Sequence, residues 1–310
     1  MLRGLRIRAE HLAYVRGAQA LGGAAQGAEV GSEELRFEPR PVAAGDYLVE
    51  VAAGASAPRL FQCLFYPLAL AGGGQLMVRG GTHLSEGPTY HDLGWAWLHA
   101  LGAYGFSAEF KLRCAGFAPE GGGEFRATIH PRAGDPPHRV DLPARGTLRE
   151  VEVVSFVGGL PLAAAEEQLR AAVQVLRANG VHCNEEKVPV PVAGSAGGAV
   201  LIKAQFENTL AGFQAASSRG SAPRDVGQQA AQKLVAFLKG AGALDEHLGD
   251  QILIPAGLLA AQRLGPSPGV TRFTAAAVTP ALGAHATLIE KFLPVRVEIG
   301  PESAVQVLPA

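Results

Sequence analysis

The chain has 310 residues, of which 48% are hydrophobic and 18% are charged, and its formal net charge at pH 7 is −1. This length is typical of two domains, and the high apolar and low charged content excludes a largely disordered chain. Proteins that bind nucleic acid over a broad surface usually carry a strong basic excess, so a nucleic-acid contact is expected here only at a local site, such as a pocket for a chain end.

The cysteines and the hydropathy pattern indicate a cytoplasmic protein without a membrane partner. Cys63, Cys114 and Cys183 lie far apart and lack CxxC spacing, which is typical of free thiols in a reducing compartment. No window of about 18 uncharged apolar residues predicts a transmembrane helix. No apolar segment follows the basic residues at the start, as a signal peptide requires.

In the first half of the chain, predicted strand pairs alternate with predicted helices. Apolar residues at spacings of three and four predict helices, and alternating polar and apolar residues predict strands. In chain order, these patterns give a helix at 9–22, strands at 34–37 and 47–51, a helix at 57–71, a strand at 75–79, a helix at 92–104, and strands around 107–114 and 124–130. This order favours layered α+β units over a single doubly wound sheet.

From Val151 the pattern changes, and it predicts a small α/β module inserted into the main fold. The module elements are a strand at 152–157, a helix at 162–178, a loop at 185–198, strands at 199–206 and near 212–216, and a helix at 222–239. A helix at 245–262, a strand at 271–276, a helix at 284–292 and a strand at 294–299 follow. We therefore assign 1–150 and 247–310 to one body and 151–246 to the inserted module.

Two short segments carry candidate binding residues. Gly80-Gly81-Thr82-His83 follows a strand, where glycine permits close backbone approach and free amides before a helix favour an anion; tight turns use the same residues for geometry alone. Asp250-Gln251 lies in an apolar predicted helix, so the carboxylate is expected to point into a cleft or at a partner. The nine histidines form no HxxxH or HxH pair, and the motifs of zinc, hydrolase, P-loop and dehydrogenase sites are absent.

Six segments, in the right order, resemble the RNA 3'-terminal phosphate cyclase family. They are GAEVGSEELRF at 27–37, GASAPRLFQCLFYP at 54–67, RGGTHLSEGPTYHDL at 79–93, GFAPEGGGE at 116–124, EHLGDQILIP at 246–255 and EKFLPVRVEI at 290–299. The resemblance covers nearly the whole chain. It implies an α+β fold of repeated units, each a four-stranded sheet with two helices, related to enolpyruvyl transferases and carrying an inserted small α/β module.

The resemblance also implies a reaction and its partners. In the family, a histidine nitrogen attacks the α-phosphate of ATP with help from a divalent metal, Mg²⁺ or Mn²⁺, and the AMP then passes to an RNA 3'-phosphate. The neighbouring 2'-hydroxyl closes a 2',3'-cyclic phosphate. ATP and an RNA 3'-end are therefore the implied partners. The implied binding residues are Gly80, Gly81, Thr82, His83, Asp250 and Gln251.

Two departures from the family concern this reaction. Counting back nine residues from Glu290 places Ala281 at the position of the nucleophilic histidine, and a methyl group has no lone pair. The family's acidic GEGGGQ loop, whose glutamate serves the metal, has no counterpart before Ala9. Together these departures favour loss of the reaction, and they leave the metal unassigned.

Three hypotheses about function stay open. The preferred one is a catalytically degraded homologue that binds nucleotide or RNA 3'-ends, by analogy with a pseudoenzyme that acts on ribosomal RNA in the wider family. The alternative is an active cyclase in which His285, four residues after Ala281 and on the same helical face, becomes adenylated. His285 equally suits a helix surface. Enolpyruvyl transfer has only the shared architecture in its favour.

Overall fold

The structure, a computed structural model, describes residues 6–52 and 54–310. Within these residues, three four-stranded sheets and one two-stranded ribbon are combined with helices, which confirms the predicted α+β class. The basic start at residues 1–5 lies outside the described residues. Among the described helices, none has the length and apolar content needed to cross a bilayer.

The first sheet contains strands from the first half of the chain. In chain order, the elements are α1 (Ala9–Ala20), β1 (Ala24–Gln26), β2 (Arg36–Glu38), β3 (Gly45–Glu50), α2 (Ala57–Leu70), β4 (Gly74–Gly80), α3 (Tyr90–Asp92), a π-helical segment (Leu93–Trp97), α4 (Leu98–Gly102), β5 (Ala108–Cys114) and β6 (Gly123–Ile129). The sheet order is β3-β4-β6-β5, with β3 and β4 parallel. Strands β1 and β2 form the antiparallel ribbon.

A second sheet forms what we call the central unit. Its elements follow strand β7 (Arg139–Leu142) and are β8 (Leu148–Gly158), α5 (Leu162–Ala178), β9 (Asn184–Pro189), β10 (Gly197–Phe206), β11 (Leu210–Ala216) and α6 (Pro223–Lys239). The sheet order is β11-β10-β8-β9. The central unit covers most of the predicted insert, and the division at 151 and 246 stays a prediction.

Strand β9 corrects the predicted loop at 185–198. It pairs in parallel with β8, at the edge of the central sheet and after the crossover through α5. Five of its six residues are exposed, so an edge strand of this kind has no buried face to produce an alternating apolar pattern. Pairing with β8, not hydropathy, makes this segment a strand.

The last third of the chain forms the third sheet. Its elements are α7 (Glu246–Gln251), α8 (Leu253–Ala260), β12 (Val270–Thr274), α9 (Pro280–Phe292), β13 (Val295–Ile299) and β14 (Ala304–Pro309). Strand β7, which precedes the central unit, pairs in parallel with β12, which follows it, and the sheet order is β13-β14-β12-β7. The helix predicted at 245–262 is two helices, because Pro255 has no N–H to donate to the carbonyl of Gln251 across the break at Ile252.

The buried residues fall into separate cores. One large core joins the first and third sheets with α2, α7, α8 and α9, and it includes Phe61, Phe65, Leu248 and Phe273. We call these two sheets and their helices the main body. The central unit has its own core between its sheet and α5 and α6. Two smaller buried clusters pack part of the surface where the main body meets the central unit, and a cleft lies along the rest of it.

Candidate functional site

A cleft of about 990 Å³ lies between the main body and the central unit. This volume is within the range of pockets that hold small ligands. Its lining comes from α1, α2, the 84–88 loop, α3, β11, α6, α7 and α9. The lining includes Tyr14, Arg59, Gln62, Ser85, Gly87, Asp92, Gly212, Gln214, Lys233, Asp245, His247, Asp250, Gln251, Ala281 and His285.

Helical spacing explains which side chains of α2 reach the cleft. Ser56 starts the helix, since its hydroxyl oxygen accepts a hydrogen bond from the Arg59 amide at 3.3 Å. The apolar residues of α2 pack into the core. Arg59, Gln62 and Cys63 are three and four positions apart, so they share the opposite face and line the cleft. The same spacing places His247, Asp250 and Gln251 of α7 at the cleft.

Helices α7 and α9 supply a group that we call the outer group: Asp250, Gln251, Ala281 and His285. Ala281 and His285 lie one turn apart on α9, and both line the cleft. The Oδ2 atom of Asp250 lies 4.0 Å from Nδ1 of His285. Burial raises the pKa of Asp250, and the imidazole of His285 opposes that shift. Asp250, Gln251 and His285 thus share one cleft, as the sequence predicted.

Gln251 connects two helices of the main body at the cleft wall. Its Oε1 atom accepts a hydrogen bond of 3.0 Å from Nε2 of Gln62. The bond crosses from α7 to α2, so the faces that carry Asp250 and Arg59 are held next to each other. Consistent with this proximity, the rise in the pKa of Asp250 that burial causes is opposed in part by the charge of Arg59.

The Gly80–His83 turn does not face the cleft, and the predicted placement of His83 there is wrong. Thr82 and His83 have no exposed surface, and their amides both donate to the carbonyl of Gly116. Thr82 Oγ1 in turn accepts a 2.9 Å bond from the Gly116 amide. Burial lowers the pKa of His83 to about 3, because its ring packs against Phe117 and His91.

Close packing around this turn leaves no room for a side chain at Gly80 or Gly81. Gly80 has a φ of 148°, and a Cβ atom there would lie 2.1 Å from Cγ2 of Val51. Gly81 is also buried, under the side chain of Leu84. The geometry of Gly80 and Gly81 is that of a tight turn inside the protein, and their role in ligand binding stays a prediction.

On the side of the central unit lies a group that sequence reasoning missed. We call Asp92, Gly212, Gln214 and Asp245 the inner cluster. Gln214 Oε1 accepts from the Thr89 amide at 2.8 Å, while its Nε2 donates to the Gly87 carbonyl at 3.1 Å and to Asp92 Oδ2 at 3.5 Å. These bonds attach β11 of the central unit to the loop before α3 in the main body.

Asp92 is the unusual acid of the inner cluster. Its Oδ1 atom is inaccessible to solvent and has no hydrogen-bond partner among the described residues. A Cβ atom on Gly212 would lie 2.1 Å from that oxygen, so only glycine leaves room for it. Burial, and then the negative charge of Asp245, raise the pKa of Asp92 to about 8, while Lys233 opposes the shift.

Asp245 and Lys233 adjoin Asp92 at the cleft. Asp245 caps α7, since its Oδ1 accepts 2.9 Å hydrogen bonds from the amides of His247 and Leu248. Burial raises the pKa of Asp245. Lys233 of α6 donates from Nζ to the backbone carbonyl of Gln214 at 2.6 Å. A lone aspartate among Leu93, Trp95 and Trp97 is the signal that could have identified the cluster.

The described residues do not fit a metal site made of protein ligands alone. Across residues 6–52 and 54–310, no three His, Cys, Asp or Glu side chains converge closely enough to hold a metal ion. Asp245 is occupied as a helix cap, and Asp250 faces His285. No step proposed below therefore passes through a metal.

Comparisons with known proteins agree on one family. The profile of RNA 3'-terminal phosphate cyclase matches residues 4–299. The RNA 3'-terminal phosphate cyclase of Methylococcus capsulatus is 34% identical over 304 residues, which cover 94% of this chain and 81% of the relative. That of Ralstonia nicotianae is 31% identical, covering 96% of this chain and 83% of the relative. That of Methanopyrus kandleri is 33% identical, covering 92% and 81%.

Proposed function

This chain belongs to the RNA 3'-terminal phosphate cyclase family, as its six segments predicted, and we propose that it binds RNA 3'-ends or ATP in the cleft without adenylating itself. The observation that carries the proposal is the position of Ala281. It lies in the cleft lining, on the same face of α9 as His285. The cleft is kept, but the side chain at the nucleophile position has no nitrogen.

Geometry explains why His285 is a poor replacement for a nucleophile at position 281. A phosphoramidate forms only when an imidazole nitrogen lies about 3 Å from phosphorus and in line with the breaking P–O bond. His285 is displaced by about one helical turn, roughly 5–6 Å along α9. Misplacement by about 1 Å can already reduce a rate by two orders of magnitude. A ligand positioned for residue 281 is therefore misaligned for His285.

One observation favours the alternative, an active cyclase with His285 as nucleophile. The carboxylate of Asp250 lies 4.0 Å from Nδ1 of His285, and a carboxylate beside one ring nitrogen can orient the other toward a substrate. In that reaction, Nε2 of His285 forms the bond to the α-phosphorus of ATP as the α–β P–O bond breaks and pyrophosphate leaves. The P–N bond to His285 then breaks as an oxygen of the RNA 3'-phosphate takes the AMP.

Labelling with ATP separates the two functions. The protein is incubated with α-labelled ATP and Mg²⁺ or Mn²⁺, and acid-labile adenylate on the protein is measured. We expect no label on the wild type and binding of a 3'-phosphorylated oligoribonucleotide or of ATP. Label that disappears in His285→Ala would instead establish the active cyclase. Absence of both label and binding would contradict the proposal.

Ala281→His is the matched variant for this assay. It restores an imidazole at the family position while leaving His285 and Asp250 in place. If the missing nitrogen is what prevents adenylation, Ala281→His gains label that the wild type lacks. A variant that folds, binds ATP and stays unlabelled would show that more than this side chain has been lost.

The location of the protein is also a proposal. Cys63, Cys114 and Cys183 are free thiols. Free thiols persist in a reducing compartment. We therefore keep the cytoplasm as the proposed location, where RNA 3'-ends are also present.

A further inference from the structure

Three arginine or lysine side chains line the cleft, and they differ in their partners. Arg8 forms a 2.7 Å ion pair with Glu10. Arg59 and Lys233 have no carboxylate within 4.0 Å among the described residues. Unpaired cations at the wall of a concave site are available to an anionic ligand.

Arg59 and Lys233 come from different parts of the molecule and are connected through two residues. Arg59 belongs to α2 of the main body, and its Nε lies close to Gly87, where an added Cβ would approach it to 2.6 Å. The Gly87 carbonyl accepts from Nε2 of Gln214 at 3.1 Å. The Gln214 carbonyl accepts from Lys233 Nζ at 2.6 Å. One short chain of contacts thus places both cations on the same stretch of the cleft.

The acids near Lys233 leave much of its charge uncompensated at neutral pH. Asp92 has a pKa raised to about 8 by burial, so it is mostly protonated at pH 7. Asp245 is engaged with the amides of α7. Burial lowers the pKa of Lys233, and the nearby Glu246 opposes that shift and favours the charged form. The side chain of Glu246 itself contacts His247 at 3.6 Å.

Arg59 faces the outer group. Burial raises the pKa of Asp250, and the charges of His285 and Arg59 oppose that rise. Asp250 therefore faces His285 as well as Arg59. The Arg59 side chain also hydrogen-bonds with that of Tyr14, and its remaining guanidinium N–H groups can donate to a phosphate group. The ammonium of Lys233 acts as a point charge.

We infer that Arg59 and Lys233 bind successive phosphate groups of one RNA strand, so that the main body and the central unit hold the strand together. The inference rests on the proposed function, and it adds the path of the ligand. The 3'-end lies near Arg59 and the outer group, and the preceding nucleotides extend along β11 to Lys233. Phosphate contacts of this kind position a strand without reading its sequence.

Salt dependence of RNA binding tests the inference. Binding of a single-stranded oligoribonucleotide with a 3'-phosphate is measured by fluorescence anisotropy over a range of salt concentrations. The variants are Arg59→Gln and Lys233→Met, which remove the charge and keep most of the stem. For single strands, each lost phosphate contact lowers the slope of log affinity against log salt by about 0.7. We expect this decrease in each single variant and about twice it in the double variant.

Two controls keep the outcome specific. Lys239→Met removes a charge from the same helix outside the cleft lining, and we expect no change in slope. ATP, which cannot extend along β11 as a strand does, is expected to bind Lys233→Met as it binds the wild type. If Lys233→Met loses affinity for ATP but keeps the affinity and salt slope of the wild type for RNA, Lys233 contacts the phosphates of ATP. The inferred path of the RNA strand is then wrong.

The outcomes also separate this inference from the proposed function. If the wild type binds RNA and the variants keep its affinity and salt slope, the inference is wrong and the proposed function stands. If the wild type binds neither RNA nor ATP, the proposed function fails and the inference fails with it. Thermal melting of each variant shows whether a lost contact reflects loss of fold.

Discussion

The outer group and the inner cluster lie in one cleft but are held in different ways. In the outer group, the His285 side chain is 46% exposed and its contact with Asp250 is 4.0 Å long. In the inner cluster, Gln214 makes bonds to Gly87, Thr89 and Asp92, and Gly212 leaves space for one carboxyl oxygen. The outer group is thus loosely held and partly exposed in the cleft, whereas the inner cluster joins the central unit to the main body.

The largest expected effect is the pH dependence of stability that Asp92 produces. Its pKa is raised from 3.8 to about 8 in the folded protein, so the folded state holds this proton more tightly than the unfolded chain does. The contribution of Asp92 to the free energy of unfolding is therefore fully present below about pH 4 and falls as pH rises to about 8, by up to about 1.4 kcal/mol per pH unit.

Asp92→Asn isolates this contribution. The variant has no proton to lose, so its stability relative to wild type should increase from pH 5 to pH 8. Lys233 and Asp245, which face Asp92 from α6 and the start of α7, are unchanged in both proteins. Urea unfolding at several pH values measures the difference. A constant difference across this range would show that Asp92 is ionised in the folded state.

The next effect concerns the close approach of Gly212 to Asp92. An alanine Cβ would lie 2.1 Å from Asp92 Oδ1, so either the side chain or the strand must move. We expect Gly212→Ala to lower the free energy of unfolding by about 1–3 kcal/mol. Gly283→Ala is the matched control, because Gly283 is in α9 and a Cβ there meets nothing within 4 Å. The control should be neutral or more stable by about 0.5–1 kcal/mol.

The smallest effect on stability is expected in the outer group. His285 is about half exposed and lies at the long limit of an ion-pair distance from Asp250. His285→Ala should therefore change the free energy of unfolding by no more than about 0.5 kcal/mol. A loss as large as that of Gly212→Ala, measured in the same urea titration, would remove the distinction between the two groups.

Much of the fold was predictable because several helices are strongly amphipathic. The helix predicted at 162–178 is α5 at Leu162–Ala178, since its apolar spacing directly reflects the face that packs on the central sheet. Strand β9 was missed because its residues are mostly exposed, so they show no apolar periodicity. Strand β14 was also missed, although Val305 and Val307 are fully buried, because a short apolar run near the end of a chain does not distinguish a strand from a coil.

The candidate site was predictable where a polar residue interrupts an apolar helix. That signal predicted Asp250 at a cleft, which it lines. The chain position of Ala281 relative to Glu290 predicts that alanine replaces the nucleophilic histidine. The turn motif at 80–83 gave a wrong position for His83, whose ring is fully buried. No local pattern indicated Gln214, which lies in a strand and is 122 positions from Asp92.

By itself, the sequence determined the family, the helical positions of Asp250 and His285, and the absence of a side-chain nitrogen at position 281, because each depends on residue identity and on spacing along the chain. The tertiary structure alone decided that burial raises the pKa of Asp92 and that Lys233 has no carboxylate within 4.0 Å among the described residues. Proton affinity and charge pairing depend on burial and on groups brought close from distant parts of the chain. No local pattern records those contacts.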